Sequence, residues 1–493
     1  MSESTPAPAS KTAGQLIADY FRDFGVLRET KREYWGIQIV NLLDCTFYFG
    51  MLEICTLFLS DDLGMSDRGA GRTYTVLTAT ITLLLTVSGL FCDWLGIRRS
   101  LRISMWWMLV LRLAMLPLAL LPGVPHRGIL AVVVIGLMAP PMAAIQTIFQ
   151  SATQRYTTRR SRGAGFNLWY LFMNAGATLG GFSVDTIRLV LHVANVHIFT
   201  VGVVTAILCL VVGETMVRQE EQLRTPGEPE TPADQVEHKK PLAIFLEVIR
   251  EPALLRLVVL IALTLGVRCI YVCNFVLMPK YWVRTIGPDA TIGLLNNINP
   301  IGIVIGLILF IPFANKIRVV NMLVFGSIVS ALSLVPMAMP WSVFSADVAR
   351  AHYLMAIVCM VILTVGEVLW SPKLYEYTAA IAPKGQEGTY LGFSMIPYFL
   401  AKTVVSWFSG DWLTRWSPEK IDVHGTAVPL KQALVAGQVP YWHSPAAMWF
   451  WIGLVSIVGC LIAVPLRDWF AQGARASAAP VPAEPADVNA AVA

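Results

Sequence analysis

Long apolar runs separated by short polar clusters recur along the whole chain, and stretches such as Gly128 to Ile145 and Val319 to Trp341 carry no charge. Read in a window of about 19 residues, this pattern predicts spanning helices near 34–59, 72–92, 101–121, 128–150, 165–187, 194–216, 253–279, 289–313, 319–339, 352–379, 389–412 and 446–466. That makes about twelve spans. The fourth contains Pro140-Pro141 and the tenth Ser371-Pro372. Both should kink rather than end, because neighbouring helices can satisfy the freed carbonyls. The polar stretch Arg218 to Lys240, rich in Pro, Glu and Gln, cannot bury itself and divides the spans into two groups of six. The domain reading is an N-terminal segment 1–33, a six-helix bundle 34–217, a linker 218–250, a second bundle 251–468, and an Ala/Pro-rich tail 469–493 expected to be disordered. The fold class is therefore an all-α polytopic membrane protein. A β-barrel would need segments of about ten residues alternating apolar and polar, and none is present.

Composition agrees. The 493 residues are 56% hydrophobic and 14% charged, with a mean hydropathy of +0.61, whereas soluble domains carry about 25% charged residues. A net charge of +5 is small for this length and gives no nucleic-acid signature. Where the charges fall is more telling. With the N-terminus in the cytoplasm, Arg98, Arg99, Arg102, Arg155, Arg159, Arg160 and Arg162 all lie inside, together with both tails and the linker. That gives about 22 basic residues inside against about 10 outside. Both termini are expected to be cytoplasmic, in a plasma (inner) membrane. The first residues lack a basic-then-apolar leader, so the first span is expected to serve as the insertion signal. Eight cysteines lie mostly in apolar runs and suggest no disulfide framework, and Cys269 and Cys273 lack the companions a metal site needs. No metal or cofactor is expected.

The turn between spans two and three reads Gly89, Asp93, Gly96, Arg98, Arg99 with apolar residues between them. Gly96 allows the tight turn, and Asp93 is close enough in sequence to pair with either arginine, forming a charge cluster that could latch one conformation. This pattern resembles the loop 2–3 signature of the major facilitator superfamily, G-x-x-x-D-x-x-G-x-R-R, in the required place. Tyr48-Phe49-Gly50-Met51 before Leu59 to Gly64, Asn174-Ala-Gly176, Asn299-Pro300, and Gly366-Glu367-x-x-x-Ser371-Pro372 with Ala382-Pro383 and Gly388 beyond resemble elements of its proton-dependent oligopeptide transporter branch. The matches run from about residue 41 to 410. Where that branch carries E-x-x-E-R in the first helix, this chain has Asn41, Asp44 and Cys45, and no lysine lies between Gly136 and Gln150. The resemblance implies a transporter of two rocking six-helix bundles, with a peptide-like substrate and protons as partners.

An ionisable side chain inside the hydrocarbon costs roughly 2.5 to 3.5 kcal/mol on insertion scales, so each should face a cavity or a partner. Asp44 and Glu53 in span one, Arg112 in span three, Arg268 in span seven, Glu367, Lys373 and Glu376 in span ten, and Lys402 in span eleven qualify. Glu367, one turn before the Ser371-Pro372 break, is the foremost candidate for proton coupling, followed by Asp44. Asn41, Asp44 and Tyr48 share a helical face expected to look into the central cavity, although Asn41 also suits helix packing. Arg268, with Asn274 nearby, offers a cation for a substrate carboxylate or a structural partner for Glu367 or Asp44. Lys402 is a second anion candidate. Trp370 either walls the pocket or packs, and Ser371, Asn174 and Asn299 complete the expected substrate site. Lys373 and Glu376, three residues apart, suit a local salt bridge, and Arg112 suits pairing with a carboxylate. Gating falls to Asp93, Arg98 and Arg99. The pairs Gly176/Gly180 and Gly302/Gly306 predict close helix contacts without implying dimerisation, so a monomer is expected.

No nucleotide-binding P-loop is present, and the 413–444 loop holds Asp422, His424 and His443 without ligand-like spacing, so neither an ATP-driven pump nor an enzyme is expected. The leading reading is proton-coupled symport of small peptides or peptide-like zwitterions. A proton-coupled exporter of another amphipathic molecule, or a non-transporting receptor on the same fold, is the alternative.

Overall fold

The computed structural model describes residues 14, 24–121, 123–218, 252–314, 317–381 and 387–477, with side chains omitted at some helical positions, including Asp93, Glu376 and 387–399. The linker and the C-terminal tail lie largely outside the described residues. Twelve long helices are seen among the described residues: α1 (Arg32–Leu57), α2 (Asp67–Leu95), α3 (Ile97–Leu120), α4 (Arg127–Arg155), α5 (Arg159–Asp185), α6 (Ile198–Met216), α7 (Pro252–Val276), α8 (Ile292–Ala314), α9 (Val319–Leu332), α10 (Val348–Ile381), α11 (Glu387–Trp416) and α12 (Pro445–Ala463). α4 runs on through Pro140-Pro141 and α10 through Pro372.

Nine spans among the described residues are long and apolar enough to cross a membrane, with α9 counted together with the turn Val335–Ala338. The other three long helices, α2, α5 and α11, have 29, 27 and 30 residues. α2 packs along α11 and α5 along α8, each across the boundary between the two halves. Thr75 and Thr78 of α2 and Lys402 and Ser406 of α11 are buried, whereas Arg68, Arg72 and Arg415 stay exposed.

Within each half, glycines set the spacing. A Cβ on Gly176 would stand 2.6 Å from the Leu42 carbonyl oxygen, and one on Gly180 would stand 2.8 Å from the Gly50 nitrogen, so α5 lies backbone-to-backbone on α1. Gly302 and Gly306 bring α8 equally close to Thr364 and Val368 of α10. Between α11 and α12 the chain forms a two-stranded hairpin, β1 (Lys420–Val423) and β2 (Thr426–Pro429), which the apolar pattern does not predict. His424 and Gly425 at its tip both have positive φ, at 54° and 85°, which suits the right-handed strand twist.

Candidate functional site

A cavity of about 460 Å³, counting its open mouth, lies between the halves. Phe49, Glu53, Tyr170 and Asn174 line it from α1 and α5. Tyr271, Asn274, Asn296, Asn299 and Glu367 line it from α7, α8 and α10. Glu367 is 9% exposed and accepts a hydrogen bond from Asn299 Nδ2 at 2.8 Å; the same amide lies 3.3 Å from Thr364 Oγ1. Arg268 stands within electrostatic reach of Glu367, its guanidinium 4.4 Å from the Trp370 ring centroid. Trp370 is buried in an apolar cluster with Val267, Leu323 and Leu374 and donates its indole N–H to Ser330 Oγ at 3.0 Å. It therefore packs and carries Arg268 rather than walling the cavity, with Ser371 half-buried beside it. Asn174 donates to the Tyr170 carbonyl one turn back on α5.

The α1 stripe divides. Tyr48 does meet the other half: Lys402 Nζ on α11 donates to its hydroxyl at 3.4 Å. Asn41 binds the Trp169 carbonyl on α5 at 3.0 Å, tying two helices of one bundle. Asp44 does not look into the cavity. Its Oδ1 lies 2.8 Å from Arg112 Nη2, and that arginine has no exposed surface. Arg112 also donates to the Gly202 carbonyl and Thr205 Oγ1, with the Phe47 ring 3.8 Å away. Asp44 is absent from the cavity lining because α1 is covered by protein on several sides, so a polar stripe need not mark the cavity. The cavity instead begins at Phe49 and Glu53, five and nine residues further along.

At the α2–α3 turn, Arg98 pairs with Glu214 at the end of α6, at 3.2 Å, and Arg102 binds the same carboxylate. Arg99 is exposed. The Asp93 side chain lies outside the described residues, so its expected pairing has no geometry here. Gly96 has φ 78°, the left-handed value the turn requires.

At the opposite end, where α1 finishes, the two halves are tied directly. Asp67, at the start of α2, accepts from Lys280 Nζ at 2.8 Å and from Arg284 Nη2 at 2.8 and 2.9 Å. Both cations come from the short helix Met278–Thr285 after α7. Burial pushes the Asp67 carboxyl up, but Lys280 and Arg284 outweigh it and hold the group below its ordinary range. Arg68 pairs with Asp411 at 2.6 Å, and Asp185 caps the first amides of α8 through Gly293 and Leu294, each at 2.8 Å. Two helical halves thus flank one cavity, with a tight glycine turn between α2 and α3 and a polar seal at one end.

Residues 34–406 match the family model for the Major Facilitator Superfamily. The chain belongs to that superfamily. No curated protein matches it by sequence. Among solved structures, this superfamily member is similar to a bacterial homologue of the human drug peptide transporters PepT1 and PepT2, at 16% identity over 90% of this chain and 99% of that one, with a TM-score of 0.65. It is equally similar to a POT family transporter in complex with 5-aminolevulinic acid, at 13% identity, 89% and 97% coverage and TM-score 0.65. A D-xylose–proton symporter also scores 0.65, at 14% identity and 88% and 97% coverage. The superfamily fold is shared by all three, and backbone likeness does not choose among their substrates.

Four groups in this superfamily member escape the sequence reading. Glu214 is a lone acid at a helix end, and Asp67, Lys280 and Arg284 look like ordinary flanking charges until the chain folds. Asn296 was missed as well, although Asn296-Asn297-Ile298-Asn299, an amide cluster inside an apolar helix, is a signal that finds it.

Proposed function

We propose that this protein is a proton-coupled symporter of small peptides or peptide-like zwitterions, importing them by alternating access. On this reading the bundles 34–217 and 251–468 rock about the cavity, with both termini in the cytoplasm of a plasma (inner) membrane and the monomer as the working unit. The observation that carries it is Glu367: a carboxyl in the cavity wall, bound by Asn299 of another helix and facing Arg268. When Glu367 is charged, it holds the arginine's field. When it takes a proton, the arginine is released to attract a substrate carboxylate, so proton and substrate arrive together. Asn174, Asn274 and Asn299 supply hydrogen bonds to peptide groups, and Lys402 with Tyr48 spans the two bundles. Asp44 acts as a structural anchor and drops out of the coupling. Arg98 and Arg99, with Asp93, serve the cytoplasmic gate, Arg98 resting on Glu214. The seal at Asp67 supports an inward-facing conformation. The elements similar to the oligopeptide branch, Asn299-Pro300 and Gly366-Glu367 to Ser371-Pro372, place the peptide reading ahead of a sugar.

Proton flux tests this. Proteoliposomes carrying an internal pH dye, under an imposed membrane potential, should acidify when dipeptides or tripeptides are added. Glu367→Gln should abolish that acidification. Acidification by a different compound class would keep the transporter and discard the peptide substrate, and silence from a folded protein across peptides, amino acids and amphipaths would discard proton coupling.

A further inference from the structure

Three polar side chains in the cavity wall have hydrogen-bonding capacity that the proposed coupling does not use. Glu53 is 3% exposed, Asn274 2% and Asn296 5%. Among the described residues, Asn274 Oδ1 and Asn296 Oδ1 have no hydrogen-bond partner, and Glu53 Oε2 has none apart from the Asn296 amide, whose N–H side faces it. They arise from α1, α7 and α8, so the chain has gathered them from both halves around one space. Leaving a buried polar group unpaired costs about 1–3 kcal/mol, and more for a charged one. Several gathered on one cavity are groups that a molecule entering it can satisfy.

The donor and acceptor count narrows the ligand. Glu53 Oε2, Asn274 Oδ1 and Asn296 Oδ1 are three acceptors, and a primary ammonium carries three N–H donors. The neighbouring charge acting on Glu53 is Asp185, another acid, whose oxygens already cap α8. Glu367, by contrast, already has Asn299 and Arg268. The aromatic wall also suits a cation: Phe49, Phe275 and Tyr271 form a run of ring contacts, with centroids 6.2 and 5.5 Å apart, beside the acid. We infer that Glu53, Asn274 and Asn296 form a subsite for the primary ammonium group of the transported molecule. The inference rests on the transport reading for what enters the cavity. It assigns the amine end to Glu53 rather than to Glu367.

The test is equilibrium binding to the purified full-length protein, read by tryptophan fluorescence, with alanyl-alanine, N-acetyl-alanyl-alanine and propylammonium as probes. Wild type should bind alanyl-alanine and propylammonium, and acetylation should weaken the dipeptide at least about tenfold, as loss of a charged hydrogen bond does. Glu53→Gln should weaken alanyl-alanine by a similar factor and erase the preference over its acetyl form. Asn296→Ala should reduce that preference too, and it decides the matter should the Glu53 variant fail to fold. Equal binding of the free and acetyl dipeptides by wild type overturns the subsite and leaves the transport reading standing, as does a preference that survives in Glu53→Gln or, where that variant does not fold, in Asn296→Ala. Glu53-dependent binding of propylammonium without dipeptide binding keeps the subsite and removes the peptide reading. No binding of any probe removes both.

Discussion

Asp44 and Glu367 are both acids in the middle of spanning helices, yet their surroundings differ in kind. Asp44 meets a fully buried arginine that is itself held by a carbonyl, a hydroxyl and an aromatic face. Removing one partner of such a pair leaves a buried charge alone and costs about 3–5 kcal/mol. Asp44→Asn should therefore lower the apparent melting temperature in detergent markedly. Asp44→Asn combined with Arg112→Met should recover much of the loss, as a double-mutant cycle by thermal unfolding would show. Glu367→Gln should leave the melting temperature close to wild type, because Asn299 can bond to an amide as well as to a carboxyl. Both acids were legible in the sequence as charges out of place. Which one stands alone in a pair and which one faces the cavity was not, because a helical face says which residues point together and nothing about what they point at. Arg112 lies 68 residues from its partner, and no local pattern connects them.

The helices themselves were more legible than their contacts. Continuous apolar length fixes a span, and all twelve appear near the expected places, α10 running from Val348 where 352 was expected and α2 from Asp67 where 72 was expected. Helices outrun the apolar stretch because backbone hydrogen bonding continues into the polar edge. The short helix Met278–Thr285 and the hairpin after α11 were invisible to a reading based on hydropathy, since both are held by particular side chains and turns. The glycine pairs were readable as close-contact sites, but not which helix each would touch. Gly293 is the sharpest case at this scale: a Cβ there would collide with the Gly181 backbone oxygen on α5, across the boundary between halves. Gly293→Leu should prop α8 away from α5 and shift the population toward the conformation open at that end. Spin labels at Leu191 and Asp289, both exposed at that end, would report a longer distance. The eight native thiols are buried or half-buried, which favours labelling at the introduced sites.

For the molecule as a whole, the seal at the end of α1 holds the two bundles together through charged groups just outside the apolar stretches. Asp67 is held below the ordinary carboxylate range, so its contribution is complete above that range and is lost only as pH falls through the lower value. The Asp67 ties to Lys280 and Arg284 should therefore outlast mild acid, and in a variant with Asp185→Asn the label distance should lengthen only in strong acid. Asp67→Asn should lengthen it at neutral pH. The pairing of α2 with α11 across this boundary also bears on synthesis. A Cβ on Gly71 would meet the Ser406 carbonyl at 2.7 Å, some 340 residues later in the chain. At about 5–20 residues per second, α11 emerges from the ribosome roughly 20 to 70 s after α2. During that interval the threonine- and glycine-bearing face of α2 has no permanent cover, so the newborn helix must shelter at the insertion machinery or against its early neighbours until its distant partner arrives.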